Sequence, residues 1–242
     1  MKTPISAVLL DLDGTLLDHR GAARDAFFAA CAHWLPSLDT EARHQAYAVW
    51  QQLEDVHMKA YLEKAVTFQE QRRSRVRDLL TAHGSAGEAL GDGRVDDLFS
   101  VYLRHYEASW VRYDDVAEAM RFLWRAPAGV AVLSNGDRHQ QLAKMHSLGL
   151  SPMPPLFTPD EVGTPKPQAA SFLGVCGQMG WDPAEVLYIG DDLHVDAIAA
   201  TRAGLRGCWL DRQRTEAGDA PEGILRVHSL LDVVGAVQWL SC

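Results

Sequence analysis

Ile5-Ser6-Ala7-Val8-Leu9-Leu10-Asp11-Leu12-Asp13-Gly14-Thr15 runs from a nearly continuous apolar segment straight into two carboxylates. An aliphatic run of this length, closed by a glycine-containing turn, predicts a strand buried on both faces, as in the middle of a parallel sheet. Side chains alternate along a strand, so Asp11 and Asp13 leave its carboxyl end on one side while Leu12 faces the other. Two such charges about 4 Å apart, at an effective dielectric near 20, repel by roughly 4 kcal/mol, which a stretch shaped only for stability would avoid. A divalent cation removes that repulsion. A polar turn after a strand would also use Asp and Gly. Three further polar clusters, each behind an apolar strand-like run or in a loop before a helix, favour a site.

Working outward, residues 18–112 carry helical periodicity and no strand alternation. Ala46, Val49, Trp50, Leu53, His57, Ala60 and Tyr61 recur at helical spacing, as do Val76, Leu79, Leu80 and His83, and then Val95, Leu98, Phe99, Tyr102, Leu103 and Tyr106. Residues 84–93 read as a loop. Beyond residue 112, strand-like and helix-like segments alternate: a strand at 130–133, a helix at 139–148 stopped by Gly149, and a helix at 168–180. A strand at 186–189, a helix at 195–203 ended by Gly204, a strand at 207–210 and a final helix from Ser229 through Leu240 follow, the last after a loop holding Gly218 and Pro221. This alternation is the signature of an α/β fold with a Rossmann-like parallel sheet and helices on both faces. The predicted organisation is a core of residues 1–17 and 113–242 interrupted by an all-helical domain, 18–112. In such sheets ligands bind beyond the carboxyl ends of the strands, where all the polar clusters fall.

The 242-residue chain carries a formal charge of −9, which argues against a nucleic-acid backbone or an anionic membrane as partner. No apolar stretch has the length of a membrane span, and the run before Asp11 is too brief for a signal peptide, so the expected location is cytoplasmic. Cys31, Cys176, Cys208 and Cys242 form no Cys-x-x-Cys pair and are expected to be reduced, Cys176 and Cys208 as small buried hydrophobes. Asn135 is the one Asn in the chain, and Lys166 is one of only five Lys beside 18 Arg.

The order Asp11-Leu12-Asp13-Gly14-Thr15, Leu133-Ser134-Asn135-Gly136, Lys166 within Gly163-Thr164-Pro165-Lys166-Pro167, and Gly190-Asp191-Asp192 with Asp196 resembles the four motifs of the haloacid dehalogenase-like hydrolases. The similarity is to the phosphatase branch with a helical cap inserted after the first motif, and it spans nearly the whole chain. The resemblance implies that Asp11 is a nucleophile forming an aspartyl-phosphate and that Asp13 is the acid and then the base. It implies that Lys166 neutralises phosphoryl charge and that Ser134, with backbone amides around Leu12, Asn135 and Gly136, binds phosphoryl oxygens. A Mg²⁺ ion is implied on Asp11, the backbone carbonyl of Asp13, and Asp191, a set of hard oxygen ligands that suits it. Asp192 and Asp196 fit either a place near the metal or Lys166, or helix-start capping, and His194 reads as an exposed loop residue.

The acid at position 13 favours phosphoester cleavage, because dehalogenase relatives, which expel halide, have no acid there. The residues after Pro167, Gln168-Ala169-Ala170-Ser171-Phe172, depart from the acidic-aromatic pattern common among relatives and leave the subgroup open. Specificity is expected in the cap, where Arg72, Arg73, Arg75 and Arg77 are candidates for a second anionic group on the substrate, although they point several ways around a helix. The expected substrate is a small soluble phosphorylated metabolite of the nucleotide or sugar phosphate class. A dehalogenase-type hydrolase and a phosphoryl-binding regulatory protein without turnover are the competing readings.

Overall fold

A computed structural model describes residues 4–125, 129–214 and 220–236. Its sheet contains β1 (Ala7–Leu10), β2 (Gly129–Leu133), β3 (Leu156–Phe157), β4 (Val186–Gly190), β5 (Arg206–Leu210) and β6 (Leu225–Val227), all parallel, in the order β3-β2-β1-β4-β5-β6. β1 is central, with Ala7 beside Gly129 on one side and Val186 on the other. The chain first builds outward through β2 and β3, then returns to place β4 on the opposite flank. The crevice of an open sheet therefore falls at the carboxyl ends of β1 and β4.

The sheet is buried on both faces, which is why its strands read as apolar runs rather than alternating ones. Ala7 and Leu9, Ala131 and Leu133, and Val186 and Tyr188 share one face and one core with Phe172, Val175 and Cys176. Val8, Leu10, Val132, Leu187 and Ile189, one residue out of phase, are buried on the other.

Residues His19–Trp110 form one compact unit and the remaining residues another. The first unit comprises α1 (His19–Trp34), α2 (Thr40–Leu62), α3 (Phe68–Ala82) and α4 (Asp92–Ala108), with one 3₁₀ turn at Gly87–Ala89 inside the predicted loop. Its core gathers Phe27, Trp34, Trp50, Val76, Leu79, Val95, Phe99 and Tyr102. The start of α2 is capped by Asp39, and that of α3 by a reciprocal Thr67–Glu70 capping box. The arginines of α3 are engaged within this unit. Arg73 pairs with Asp92 and Asp96, and Arg77 with Asp92. Arg75 is buried, 3.1 Å from Glu54 and over the Trp50 ring, and Arg72 lies over Phe68 and Phe99.

The second unit adds α5 (Val116–Leu123), α6 (Arg138–Ser147), α7 (Pro159–Val162), α8 (Ala169–Met179), α9 (Ala199–Arg202) and α10 (Leu230–Ala236) to the sheet. Gly149 and Gly204 sit at φ +63° and +93°, in the left-handed conformation that closes helices at low cost. The helix expected at 195–203 begins instead as a π-helical turn, Leu193–Ile198, before α9. Residues 237–240 of the expected final helix, Gly218 and Cys242 lie outside the described residues. Cys31, Cys176 and Cys208 are free and buried. Among the described residues no helix is long and apolar enough to cross a membrane.

Candidate active site

Asp11 is the first residue beyond β1, fixed by its backbone N–H donating to the Ile189 carbonyl at 2.8 Å. The chain then turns, with the Leu12 carbonyl accepting from the amides of Leu16 and Leu17. Gly14, at φ +79°, lies against Asp191, and a Cβ there would overlap the Asp191 carboxylate. Glycine is thus required both by the backbone conformation and by the approach of an acidic side chain from the end of β4.

Lys166 reaches the same point from the loop between α7 and α8. Its ammonium is buried and donates to Asp11 Oδ1 at 2.7 Å, Asp196 Oδ1 at 2.7 Å and the Tyr188 hydroxyl at 2.8 Å. The Tyr188 hydroxyl in turn donates to Asp196 Oδ1 at 2.9 Å. Asn135 holds the Lys166 loop, its side-chain amide donating to the Lys166 carbonyl and its oxygen accepting from the Lys166 N–H, both at 2.8 Å. The Asn135 side chain is therefore committed to placing Lys166. What it offers a ligand directly is its backbone.

Burial pushes the Asp11 carboxyl well above the usual range, and the neighbouring Asp196 and Asp191 charges add to the rise against the opposing pull of Lys166. Burial works against the Lys166 ammonium too, but Asp11 and Asp196 outweigh it and raise its pKa. Burial, Asp196 and Asp11 push the Tyr188 phenol well up, so it stays a neutral donor. Ligand oxygens of Asp11, Asp191 and Asp196 lie within 4.8 Å of one another. Three carboxylates at that spacing are a hard-oxygen donor set suited to Mg²⁺. Asp196 is further engaged, since its Oδ2 also accepts from the Asp192 N–H at 3.1 Å. Asp192 serves as a cap, accepting from the amides of His194 and Val195, and His194 is exposed.

Asp13 stands beside two partners that the sequence motifs do not include. Lys144 donates to both its carboxylate oxygens at 2.8 Å, and the Gln141 amide donates to Oδ2 at 2.6 Å. The same amide donates to Ser134 Oγ at 2.6 Å. Ser134 is buried at the end of β2, and the cap of α6 is Asp137, which leaves the Ser134 hydroxyl to the site. Asp11, Asp13, Ser134, Lys166 and Asp191 are thus brought together at one end of the sheet, with Tyr188, Gln141 and Lys144 as additions. Tyr188 is the one polar side chain in the apolar run 186–189. Gln141 and Lys144 lie on the buried side of α6 with Met145, and with two of the helix's three buried residues polar, that side carries no apolar stripe by which the sequence could mark it.

A parallel sheet in the order β3-β2-β1-β4-β5-β6, with an acidic crevice and a buried lysine at its carboxyl edge, defines a Rossmann-like α/β core with its site at the topological switch point. The family model of haloacid dehalogenase-like hydrolases matches residues 5–204, and the chain belongs to that family. It is 29% identical over 225 residues to a ribulose-1,5-bisphosphate 5-phosphatase of Halopiger xanaduensis, covering 90% of this chain and 88% of that protein. It is 29% identical to a phosphoserine phosphatase of Thermus thermophilus, with 93% and 96% covered, and 22% identical to the N-acylneuraminate-9-phosphatase of Mus musculus, with 98% and 96% covered. These relatives put the chain on the phosphatase side of the family. The magnesium-bound HAD-hydrolase YfnB of Bacillus subtilis has the same fold, with a TM-score of 0.75 at 23% identity over 97% of this chain and 99% of that one. So does L-2-haloacid dehalogenase of Xanthobacter autotrophicus, at 0.72 and 21% over 98% and 100%.

Proposed function

We propose that this enzyme hydrolyses a small, soluble phosphomonoester, of the nucleotide or sugar phosphate class, in two displacements through an aspartyl-phosphate on Asp11. The observation that carries this reading is the pairing of Asp11, held by a buried Lys166, with a second carboxylate at Asp13. In the first displacement an Asp11 carboxylate oxygen bonds to phosphorus, the bond from phosphorus to the ester oxygen breaks, and Asp13 gives its proton to that oxygen. In the second, Asp13 takes a proton from water as the water oxygen bonds to phosphorus, which releases inorganic phosphate and restores the Asp11 carboxylate. The Ser134 hydroxyl and the backbone amides around Leu12, Asn135 and Gly136 meet the phosphoryl oxygens, and Lys166, bonded to Asp11, Asp196 and Tyr188, contributes its positive charge beside them, since phosphoryl charge would otherwise repel an anionic nucleophile.

Asp11 and Asp191, with the Asp13 backbone carbonyl and the neighbouring Asp196, would hold Mg²⁺, which would supply further neutralisation of phosphoryl charge. The helical unit, His19–Trp110, is proposed to act as the cap that selects substrate. The acidic chain is proposed to work in the cytoplasm without a nucleic-acid or membrane partner.

The deciding experiment is a screen of phosphorylated metabolites, each hit measured as kcat/KM, beside halide release from 2-haloacids. Phosphate release that stops on chelation and returns with Mg²⁺ supports the reading. Halide release without phosphate release assigns a dehalogenase, and stable labelling of Asp11 without product assigns a regulatory phosphoryl binder. Metal binding has its own expected result. Mg²⁺ at about 100 times its Kd adds roughly 2.7 kcal/mol to the folded state, or about 5–10 °C in Tm for a chain of this size. Asp191→Asn should lose most of that shift in differential scanning fluorimetry.

A further inference from the structure

We propose that Gln141 and Lys144 are positioning residues that hold the Asp13 carboxylate for proton transfer to the leaving group and lock it to the phosphoryl-binding hydroxyl of Ser134. This inference rests on the proposed phosphatase reaction and extends it to two residues outside the four motifs.

The need follows from where Asp13 sits. It lies on a turn beyond β1, its side chain is 26% exposed, and two rotatable bonds separate its carboxylate from the backbone. A general acid must be within hydrogen-bond reach of the oxygen it protonates, and a displacement of about 1 Å in a reacting group costs on the order of 10²-fold in rate. Gln141 and Lys144 are one helical turn apart on α6, so their side chains leave the same face. Both are buried, at 0% and 2% exposure. Lys144 reaches both Asp13 oxygens and Gln141 reaches one, so the plane of the carboxylate is fixed as well as its position.

The Gln141 amide spends one N–H on Asp13 and the other on Ser134 Oγ. One planar group therefore sets the distance between the acid and a phosphoryl donor that arrive from different strands. The amide orientation is dictated by chemistry, since the reverse would set its oxygen against a carboxylate, and it leaves the buried Gln141 oxygen without a hydrogen-bond partner. A role in stability alone does not account for that arrangement, because a buried acceptor left unsatisfied and a buried ion pair are both poor sources of folding energy. Gly136 belongs to the same device, because a Cβ there would overlap the Gln141 side chain.

The test compares two aryl phosphates with the full-length enzyme in Mg²⁺. Phenyl phosphate has a leaving group that needs a proton, whereas para-nitrophenyl phosphate expels a stabilised anion. Because kcat/KM covers steps only through the first irreversible one, it reports leaving-group departure and not hydrolysis of the intermediate. Lys144→Met and Gln141→Leu are each expected to lower kcat/KM about 100-fold on phenyl phosphate and less than 10-fold on para-nitrophenyl phosphate. Gly136→Ala, whose Cβ would displace the Gln141 side chain, should move the ratio the same way. Equal losses on both esters, or no loss, in variants with native circular dichroism would overturn the positioning role while leaving the phosphatase reading intact. Should Lys144→Met fail to fold, Gln141→Leu and Gly136→Ala decide the matter. A wild-type enzyme that cleaves neither ester, nor any phosphorylated metabolite, removes the phosphatase reading and this inference with it.

Discussion

Asp11→Asn is expected to lower kcat for phosphate release by about 10⁴-fold or more, the scale seen when a covalent nucleophile is deleted, with Tm unchanged or raised. The two halves of this result have separate physical origins. An amide has the shape of the carboxylate but lacks the anionic oxygen that must bond to phosphorus, so the first displacement has no nucleophile. Stability runs the other way. Burial and the nearby Asp196 and Asp191 charges disfavour an ionised Asp11, and the neutral amide removes that cost while its oxygen still accepts from the Lys166 ammonium. Lys166 keeps Asp196 as a counter-charge at 2.7 Å. Steady-state assay with Mg²⁺ and a thermal melt without metal measure the two effects separately. A kcat within tenfold of wild type would remove Asp11 as nucleophile, and a large fall in Tm would show that its charge is needed for the fold.

Much of this site can be read from residue order because its parts lie at strand ends, and strand ends are marked by where an apolar run stops. Leu10 stops at Asp11, Leu133 at Ser134, and Gly190 at Asp191. Lys166 stands between two prolines that stiffen its loop, and its placement depends on Asn135, a neighbour in space rather than in sequence. What sequence order does not reveal is decided by tertiary docking. Gln141 sits in Arg138-His139-Gln140-Gln141-Leu142-Ala143-Lys144, a segment whose composition suits a solvated helix. Only the packing of α6 against the turn after β1 makes two of its polar residues internal.

The same limit applies to the shortest elements. β3 has two residues and β6 three, too few for any periodicity, and both exist because a parallel neighbour supplies their hydrogen bonds. Helix α5, whose apolar side carries Val116, Met120 and Leu123, had a readable pattern and was absent from the predicted organisation. The turn after β4 differs in kind. Its Asp192 cap and the approach of Asp196 to Gly190, where a Cβ would strike the Asp196 carboxylate, accompany a π-helical start that helical periodicity does not distinguish from an α-helix.

Lys166→Met should abolish turnover and also destabilise the metal-free protein by about 3–5 kcal/mol, the cost of stripping one partner from a buried ion pair. Methionine nearly fills the space of the lysine stem, so the loss is electrostatic. In the wild type one ammonium serves Asp11, Asp196 and the Tyr188 hydroxyl together. Without it, the buried Asp11 and Asp196 carboxylates lose the ammonium from which both accept. Their response fixes the pH dependence. Removing Lys166 takes away the pull that opposed burial at Asp11, so in the variant its folded-state pKa lies still further above the unfolded value. The folded state then binds protons more tightly than the unfolded chain, and stability falls as pH rises through the raised folded pKa. The Tm deficit of the variant should therefore be largest at neutral and alkaline pH and shrink as the solution is acidified. Saturating Mg²⁺ should recover part of it at neutral pH by returning positive charge to the same oxygens. Melts of both proteins across this pH range, with and without Mg²⁺, separate this account from a packing defect, which would give a deficit independent of pH and metal. A uniform deficit would mean that Lys166 acts through its aliphatic stem, leaving the charge balance among Asp11, Asp191 and Asp196 to some other group.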